Sequence, residues 1–171
     1  MGEGKTLINE VAADAYDASE KPFDFLAAGG LTALLCEADP ARRQKLAETL
    51  KKLDYHVTEA ASARDALKKM RFHVYHVVVL NETFDAQNPD ANDILVYLQS
   101  LGMSTRRQIF LALLSDRFQT MDNMAAFNKS VNLIVNTKNI DDAEKILKNG
   151  IAENDAFYRI YKETMQKMGK V

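Results

Sequence analysis

The stretch His76-Val77-Val78-Val79-Leu80-Asn81-Glu82 decides the fold, because a run of apolar residues stops there at two polar side chains. Apolar residues at consecutive positions are typical of a parallel strand that is covered on both faces. We therefore predict a central strand over 74–80, with the amide of Asn81 at its carboxyl end.

Short apolar runs of this kind alternate with segments of helical period from Leu31 onward. Alternation of strands and helices predicts a parallel sheet with right-handed crossovers. The expected fold class is α/β, with a flavodoxin-like five-stranded parallel sheet sandwiched by helices and an extended C-terminal helix. The predicted strands cover 32–36, 55–60, 74–80, 109–114 and 131–135. Two predicted helices cover 40–53 and 118–127. Three more are a helix capped by Ser62, a helix that contains Ile94, Leu95 and Leu98, and a last helix that begins near Ile140.

The chain of 171 residues divides into an α/β core and two extensions. We assign 1–30 to a partly ordered N-terminal arm, 31–149 to the α/β domain and 150–171 to a C-terminal helical extension. Pro22 and Gly29-Gly30 interrupt any helical period in the arm. The apolar side chains of Phe23, Phe25 and Leu26 are nonetheless candidates for docking on the domain, if it offers them a groove.

Composition excludes several classes of protein. With 22 basic and 24 acidic residues there is no basic footprint for nucleic acid. No apolar run reaches the roughly 18 residues that span a bilayer, and 1–30 lacks a signal-peptide pattern, so we expect no membrane partner and a cytoplasmic location. The single cysteine, Cys36, excludes an internal disulfide and is expected to be a buried, inert thiol.

A resemblance to the receiver domain of bacterial response regulators is carried by two segments. Leu34-Leu35-Cys36-Glu37-Ala38-Asp39-Pro40 is similar to the family's first strand and its acidic cluster. Tyr55 through Leu67 is similar to the second strand and second helix. The resemblance covers about two-thirds of the chain and implies a metal-assisted phosphoryl-transfer site in an ordinary member of the family.

This sequence departs from the family's site at several positions. One metal-binding acid is kept as Glu37, but Ala38 replaces the other. Asn81 stands at the phosphoacceptor position, where an amide cannot form an acyl phosphate. Ser115 matches the family's hydroxyl residue, whereas Asn136 replaces the lysine. The aromatic switch position reads Leu133. The resemblance with these departures implies a divergent pseudo-receiver.

Other candidate chemistry has simpler explanations. Gly2-Glu3-Gly4-Lys5-Thr6 resembles part of a phosphate-binding loop but lacks the strand that must precede it. Ser115-Asp116 lacks a nucleophile elbow, and Ser115 is expected to cap a helix. The histidines His56, His73 and His76 are interpreted as surface or hydrogen-bonded groups. We therefore predict no enzyme activity, no cofactor and no metal site.

Two segments are candidates for an interface. Phe118, Met121, Met124 and Phe127 form an apolar set whose simpler interpretation is core packing, although receivers pair through this region. The final helix is expected to run past Gly150 and to present a seam against a second subunit, a partner helix or its own domain. The seam consists of Leu147, Ile151, Asn154, Tyr158, Tyr161, Met165 and Met168. The last four of these are the interface candidates.

Three functions stay open at this stage. The first is a phosphorylation-independent, receiver-like signalling module that binds an unidentified protein or forms a homodimer through the C-terminal helix. The second is an atypical receiver that responds to a small anion, nucleotide or metal ion near Glu37, Asn81 and Ser115. The third is a structural dimerisation unit.

Overall fold

The computed structural model describes residues 6–15 and 29–170. Five parallel strands form one sheet in the order β2-β1-β3-β4-β5, with helices on both faces. This confirms the predicted flavodoxin-like α/β class. The strands are β1 (Thr32–Cys36), β2 (His56–Glu59), β3 (Val77–Asn81), β4 (Phe110–Ser115) and β5 (Leu133–Asn136), and the α-helices are α1 (Leu7–Ala13), α2 (Pro40–Lys52), α3 (Ala63–Phe72), α4 (Asp93–Ser100), α5 (Met103–Arg106), α6 (Asn123–Lys129) and α7 (Ala143–Lys167).

The core lies on both faces of the sheet, as consecutive apolar residues require. Every residue of β1, β3 and β4 is buried. Alternate side chains of these strands enter two separate apolar clusters, one beneath α3 and α4 and one beneath α2 and α7. Among the described residues, Tyr75 is the largest side chain that is almost fully buried.

Local capping explains where the helices start. Asp39 accepts a hydrogen bond from the Arg42 backbone N–H at 2.8 Å and Pro40 occupies the first turn, which confirms the predicted start of α2. Ser62 accepts from the Asp65 N–H at 3.1 Å and starts α3 in the same way.

The predicted starts of β3, β5 and α6 are wrong, and β5 begins at Leu133 instead of residue 131. β3 begins at Val77, not at residue 74: Val74 is exposed, and backbone bonding to β1 starts at His76, whose N–H donates to the Thr32 carbonyl at 3.0 Å. α6 begins at Asn123, not at 118, because Asp122 provides its cap. Ser115 therefore caps no α-helix; its hydroxyl instead accepts turn hydrogen bonds from the N–H groups of Arg117 and Phe118.

The last helix runs without a break through Gly150 as far as Lys167. A Cβ atom at residue 150 would lie 3.1 Å from a methyl of Leu133 and 3.2 Å from the ring of Phe110. The glycine therefore lets α7 approach β4 and β5 closely. This confirms the extended C-terminal helix.

The N-terminal arm contributes α1, whose first turn is capped by Thr6. Val11 of α1 is buried in the cluster beneath α3 and α4. The predicted docking of Phe23, Phe25 and Leu26 concerns residues outside the described ranges, as do residues 2–5 of the glycine-rich segment.

Candidate functional site

The carboxyl edge of the sheet gathers the polar residues that the sequence singles out. Asn81 is paired with Leu114 in the register of β3 and β4, and Ser115 is paired with Asn136 in that of β4 and β5. Glu37 directly follows β1. Four of the predicted site residues thus lie at one edge, whereas Ala38 is exposed beside them and offers no side-chain oxygen.

Glu37 and Asn81 bond directly to each other. The Asn81 Nδ2 donates to Glu37 Oε2 at 2.8 Å, and both side chains are buried. The Asn81 Oδ1 accepts from the backbone N–H and the hydroxyl of Thr83, at 3.0 and 2.9 Å. An amide both donates and accepts, so Asn81 can bond to the carboxylate of Glu37 on one side and to two donors on the other. An aspartate at this position would be repelled by Glu37.

Arg42 neutralises the buried carboxylate of Glu37. Its Nε lies 3.1 Å from Glu37 Oε2, and the Asp39 N–H donates to the other carboxylate oxygen at 2.9 Å. Burial alone would lower the pKa of Arg42, but the hydrogen bond and charge of Glu37 raise it, so the guanidinium stays charged. A side chain of the chain itself thus supplies the positive charge beside Glu37.

A second ion pair forms around Glu82, which follows Asn81. Ser115 Oγ donates to Glu82 Oε1 at 2.5 Å. Arg117 binds both oxygens of the same carboxylate, with Nε 3.1 Å from Oε1 and Nη2 2.7 Å from Oε2. This two-pronged geometry is the strong form of an arginine–carboxylate pair. Ser115 is therefore engaged with Glu82 rather than with Asn81.

Asp90 extends this second pair towards solvent. Its carboxylate accepts hydrogen bonds from Arg117 and from Lys129. The bond with Lys129 joins the loop after β3 to α6. The hydrogen bonds from Arg117, and then from Lys129, lower the pKa of Asp90 to about 2. The hydrogen bonds that Arg117 donates to Glu82, and then to Asp90, raise the pKa of Arg117.

Asn136 holds the loop that follows β4. Its Nδ2 donates to the Phe118 carbonyl at 2.7 Å, and its Oδ1 accepts from the Lys138 N–H at 3.0 Å. The Thr120 hydroxyl accepts from the Asn136 N–H at 2.9 Å. The asparagine thus performs a structural role at the position that the resemblance aligns with the lysine of receiver domains.

The chemistry of this edge is dominated by internal pairing. Glu37 and Glu82 each have an arginine partner, and the functional groups of Asn81, Ser115 and Asn136 each bond to a neighbouring group. Within the described ranges, no three histidine, cysteine or carboxylate side chains are grouped as a metal ion would require. Sequence reasoning missed both arginines: Arg42 lies in the first turn of α2, five residues after Glu37, and Arg117 lies after β4, 35 residues beyond Glu82.

The histidines and the cysteine are also accounted for by contacts. Nε2 of His73 lies 2.8 Å from the Thr32 hydroxyl, and Nδ1 of His76 accepts from the Thr32 N–H at 3.1 Å. His73 and His76 therefore both contact Thr32. His56 is exposed, and burial raises the pKa of the Cys36 thiol.

The core-packing interpretation of the apolar set on the α6 segment is wrong for most of its members. We define the α6–α7 face as five exposed apolar side chains on and beside these helices. Two clefts of about 440 and 340 Å³ adjoin them, and Phe127 and Tyr158 line both. The five residues and their exposed fractions are Met121 (56%), Met124 (69%), Phe127 (78%), Phe157 (79%) and Ile160 (73%).

The seam of α7 lies mainly against its own domain. Leu147 is buried, and Ile151 packs on the same cluster. The Asn154 Oδ1 accepts from Asn132 Nδ2 at 3.1 Å, so this polar residue of the seam is bonded within the same chain. The guanidinium of Arg107 lies 5.2 Å from the Tyr161 ring centroid.

Of the four interface candidates, Met168 is exposed (56%), whereas Tyr158, Tyr161 and Met165 are half-buried. Phe157 and Ile160, which lie beside the seam on α7, expose more apolar surface than these tyrosines. Their part in an interface stays a prediction.

The chain has the fold of response-regulator receiver domains. A protein from Chloroflexus aurantiacus assigned as a response regulator matches 71% of this chain over 98% of its own length, with 17% identity and a TM-score of 0.56. The chemotaxis response regulator CheY4 of Vibrio cholerae matches 70% of this chain and 98% of its own, with 16% identity and a TM-score of 0.55.

An adenylate cyclase from Rhodopirellula baltica has a similar structure. It matches 80% of this chain and 96% of its own, with 18% identity and a TM-score of 0.56. At such low identities the likeness concerns the fold. No protein-family model matches the sequence, and no curated protein is significantly similar to it.

Across residues 6–15 and 29–170, no helix combines the length and the apolar character needed to cross a bilayer.

Proposed function

We propose that this chain is a receiver-like signalling module that works without phosphorylation and without catalysis, in the cytoplasm. The observation that carries the proposal is the hydrogen bond between Asn81 and Glu37, together with the ion pair between Arg42 and the same carboxylate. The residue that ends β3, Asn81, is an amide, and the carboxylate of the next residue, Glu82, is bound by Arg117. The acid that would attract a cation is already paired with a guanidinium.

Treatment with beryllofluoride or acetyl phosphate in the presence of magnesium tests this proposal. Intact mass and amide NMR spectra should stay unchanged, because Asn81 cannot accept a phosphoryl group. An ordinary receiver domain, treated in parallel, is the positive control. A stoichiometric phosphorylated species, or shifts that map to the carboxyl edge of the sheet, would overturn the proposal.

The geometry gives less support to a small-ligand receptor at the same edge. Asn81 and Ser115 bond to different carboxylates, Glu37 and Glu82, so the two residues do not converge on a shared space. Calorimetry with magnesium, inorganic phosphate and common nucleotides distinguishes the two functions. Saturable binding that Asn81→Ala removes would favour the ligand receptor.

We further propose that the module acts by pairing with a second copy of itself through the α6–α7 face. Its five side chains expose roughly 700 Å² if a fully exposed large apolar side chain presents about 200 Å². That exceeds the patch of about 300–600 Å² that a monomer ordinarily shows. It approaches the area of about 800 Å² per partner in a stable interface.

The shape of this face also suits a pair of identical surfaces. A two-fold interface must contain both projections and recesses, because each patch meets its own copy. The rings of Phe127 and Phe157 project from the two helices, and both line the cleft of about 340 Å³ between them. An aromatic ring of one copy would thus find a recess of suitable size on the other.

Sedimentation velocity of the double variant Phe127→Glu/Phe157→Glu tests the pairing. We expect the native chain to sediment as a dimer and the variant as a folded monomer. Val96→Glu, which charges an exposed apolar position of α4, is the matched control and should leave the dimer intact. A native chain that stays monomeric at high concentration would refute the pairing but not the phosphorylation-independent site.

Tyr158→Glu and Tyr161→Glu are less decisive variants. Tyr161 contacts Arg107 within the domain and Tyr158 is half-buried, so their substitution would disturb α7 itself. Phe127 and Phe157 avoid this ambiguity because more than three-quarters of each side chain is exposed.

A further inference from the structure

The short helix α1 occupies a groove between α3 and α4. Leu7, Ile8 and Val11 of α1 pack on the apolar cluster that contains Leu67 of α3 and Leu98 of α4. Val11 is only 3% exposed and is the one buried residue of α1. The groove thus accepts one face of an amphipathic helix.

Basic residues of α3 flank this groove at helical spacing. Arg64, Lys68 and Arg71 recur at intervals of four and three, so they line one edge of α3. Arg64 binds both carboxylate oxygens of Asp14, at 2.9 and 3.1 Å, and lies 3.4 Å from Glu10. The charge of the groove therefore complements a helix with an acidic flank.

Arg71 recognises the end of the bound helix rather than its side chains. Its Nη1 donates to the carbonyls of Val11 and Asp14, both at 2.8 Å. Carbonyls at a helix C-terminus lack partners within the helix and carry partial negative charge. Any short helix that ended at this point would present the same two acceptors.

Residues Leu7–Ala13 are held weakly. A helix of seven residues is too short to be stable by itself in water. One side chain is buried, and the ion pairs of Arg64 are half-exposed, where such pairs contribute little. We therefore expect α1 to leave the groove without unfolding of the domain.

We propose that the groove between α3 and α4 is a docking site for a short amphipathic helix with an acidic flank, supplied by a partner protein. The chain's own α1 is a tethered competitor for that site. A tethered segment competes at a high effective concentration, so the partner must displace it. This proposal is independent of the phosphorylation-independent role and of the α6–α7 face.

Fluorescence anisotropy with a labelled peptide of residues 6–15 tests the groove on the full chain. Val11→Asp in the protein should release α1 and leave the groove intact, because residue 11 belongs to the occupant. The peptide should then bind the Val11→Asp chain at least tenfold more tightly than the native chain. Equal affinity for the two proteins would overturn the proposal.

Charge variants then test the recognition. Adding Arg64→Glu to Val11→Asp should weaken peptide binding by about threefold to tenfold, because it opposes both acids of the helix. Adding Arg159→Glu, an exposed arginine of α7, is the matched control and should not. Equal loss in the two double variants would mean that charge at the groove is not recognised.

Amide hydrogen exchange of the native chain gives a measurement that needs no variant. Amides of α1 should exchange many-fold faster than those of β3, because α1 opens without the domain unfolding. Exchange of α1 at the rate of β3 would mean that α1 is a fixed part of the fold and would overturn the proposal.

Discussion

Replacing Arg42 by methionine should destabilise the domain by leaving the carboxylate of Glu37 without its cation. Methionine keeps most of the length and apolar contact of the side chain. The Arg42 backbone N–H still donates to Asp39, so the cap of α2 is preserved. The variant therefore isolates the guanidinium.

The expected cost follows from the burial of the two partners. Removing one member of a fully buried ion pair costs about 3–5 kcal/mol. Glu37 is 1% exposed but Arg42 is 34% exposed, so water already screens part of the attraction. We expect the free energy of unfolding to fall by about 2 kcal/mol, which lowers Tm by roughly 4–8 °C for a chain of this size.

Urea unfolding followed by circular dichroism measures this change. Arg43→Met is the matched control, since Arg43 lies on the same helix and pairs with Glu59 where both side chains are exposed. It should cost less than about 0.5 kcal/mol. The double variant Glu37→Gln/Arg42→Met should lose at least about 1 kcal/mol less than the two single variants together. If Arg42→Met is no less stable than Arg43→Met, the guanidinium does not stabilise Glu37 as argued.

Three further predictions concern other parts of the domain. Asn81→Asp should not restore phosphorylation by acetyl phosphate and should lower Tm, because the new carboxylate meets Glu37 where a 2.8 Å hydrogen bond now lies. His76→Gln should flatten the decline in unfolding free energy below pH 6.5. Burial, and then the charge of Lys162, lower the pKa of His76 in the folded chain. The stability that neutral His76 contributes is therefore complete above the unfolded pKa of about 6.5, and it is lost as the pH falls towards the folded pKa. Gly150→Leu should cost about 1–2 kcal/mol in urea, because added carbon atoms crowd β4 and β5.

Each of these has a control and an opposing result. Rapid labelling of Asn81→Asp by acetyl phosphate would mean that the site is not closed. His56→Gln, at an exposed position, should leave the pH dependence unchanged, and an equal effect of both histidine variants would contradict the role of burial. Ala152→Leu, on the exposed side of α7, should change stability by less than about 0.5 kcal/mol. Equal costs for Gly150→Leu and Ala152→Leu would show that close packing at 150 is unimportant.

The strands and helix starts could be predicted where one local signal dominates. β1 and β3 are continuous apolar runs, and Asp39-Pro40 combines a cap with a suitable first-turn residue. The start of α6 could not be placed this way, because Phe118 continues the apolar period although its N–H bonds to Ser115 in a turn. The helix α1 escaped notice because its helical period is only two turns long.

The site was predictable in its residues but not in its partners. Glu37, Asn81 and Ser115 follow from their places after strands. Arg42 and Arg117 were missed, because arginines in loops and first turns are usually solvated and sequence does not show which acid they reach. The exposure of Met124 and Phe127 could not be predicted from the sequence either, because apolar residues at helical spacing are found both on core-facing helices and on helices that form an interface.

A guanidinium attached to the chain behaves differently from an ion that exchanges with solution. The positive charge beside Glu37 does not depend on the chemical potential of magnesium, since Arg42 is present whenever α2 is folded. Charge balance at this edge is therefore fixed by the folding of the domain and not by the ionic composition around it. Chelators and millimolar changes in divalent cations should leave its melting curve where it is.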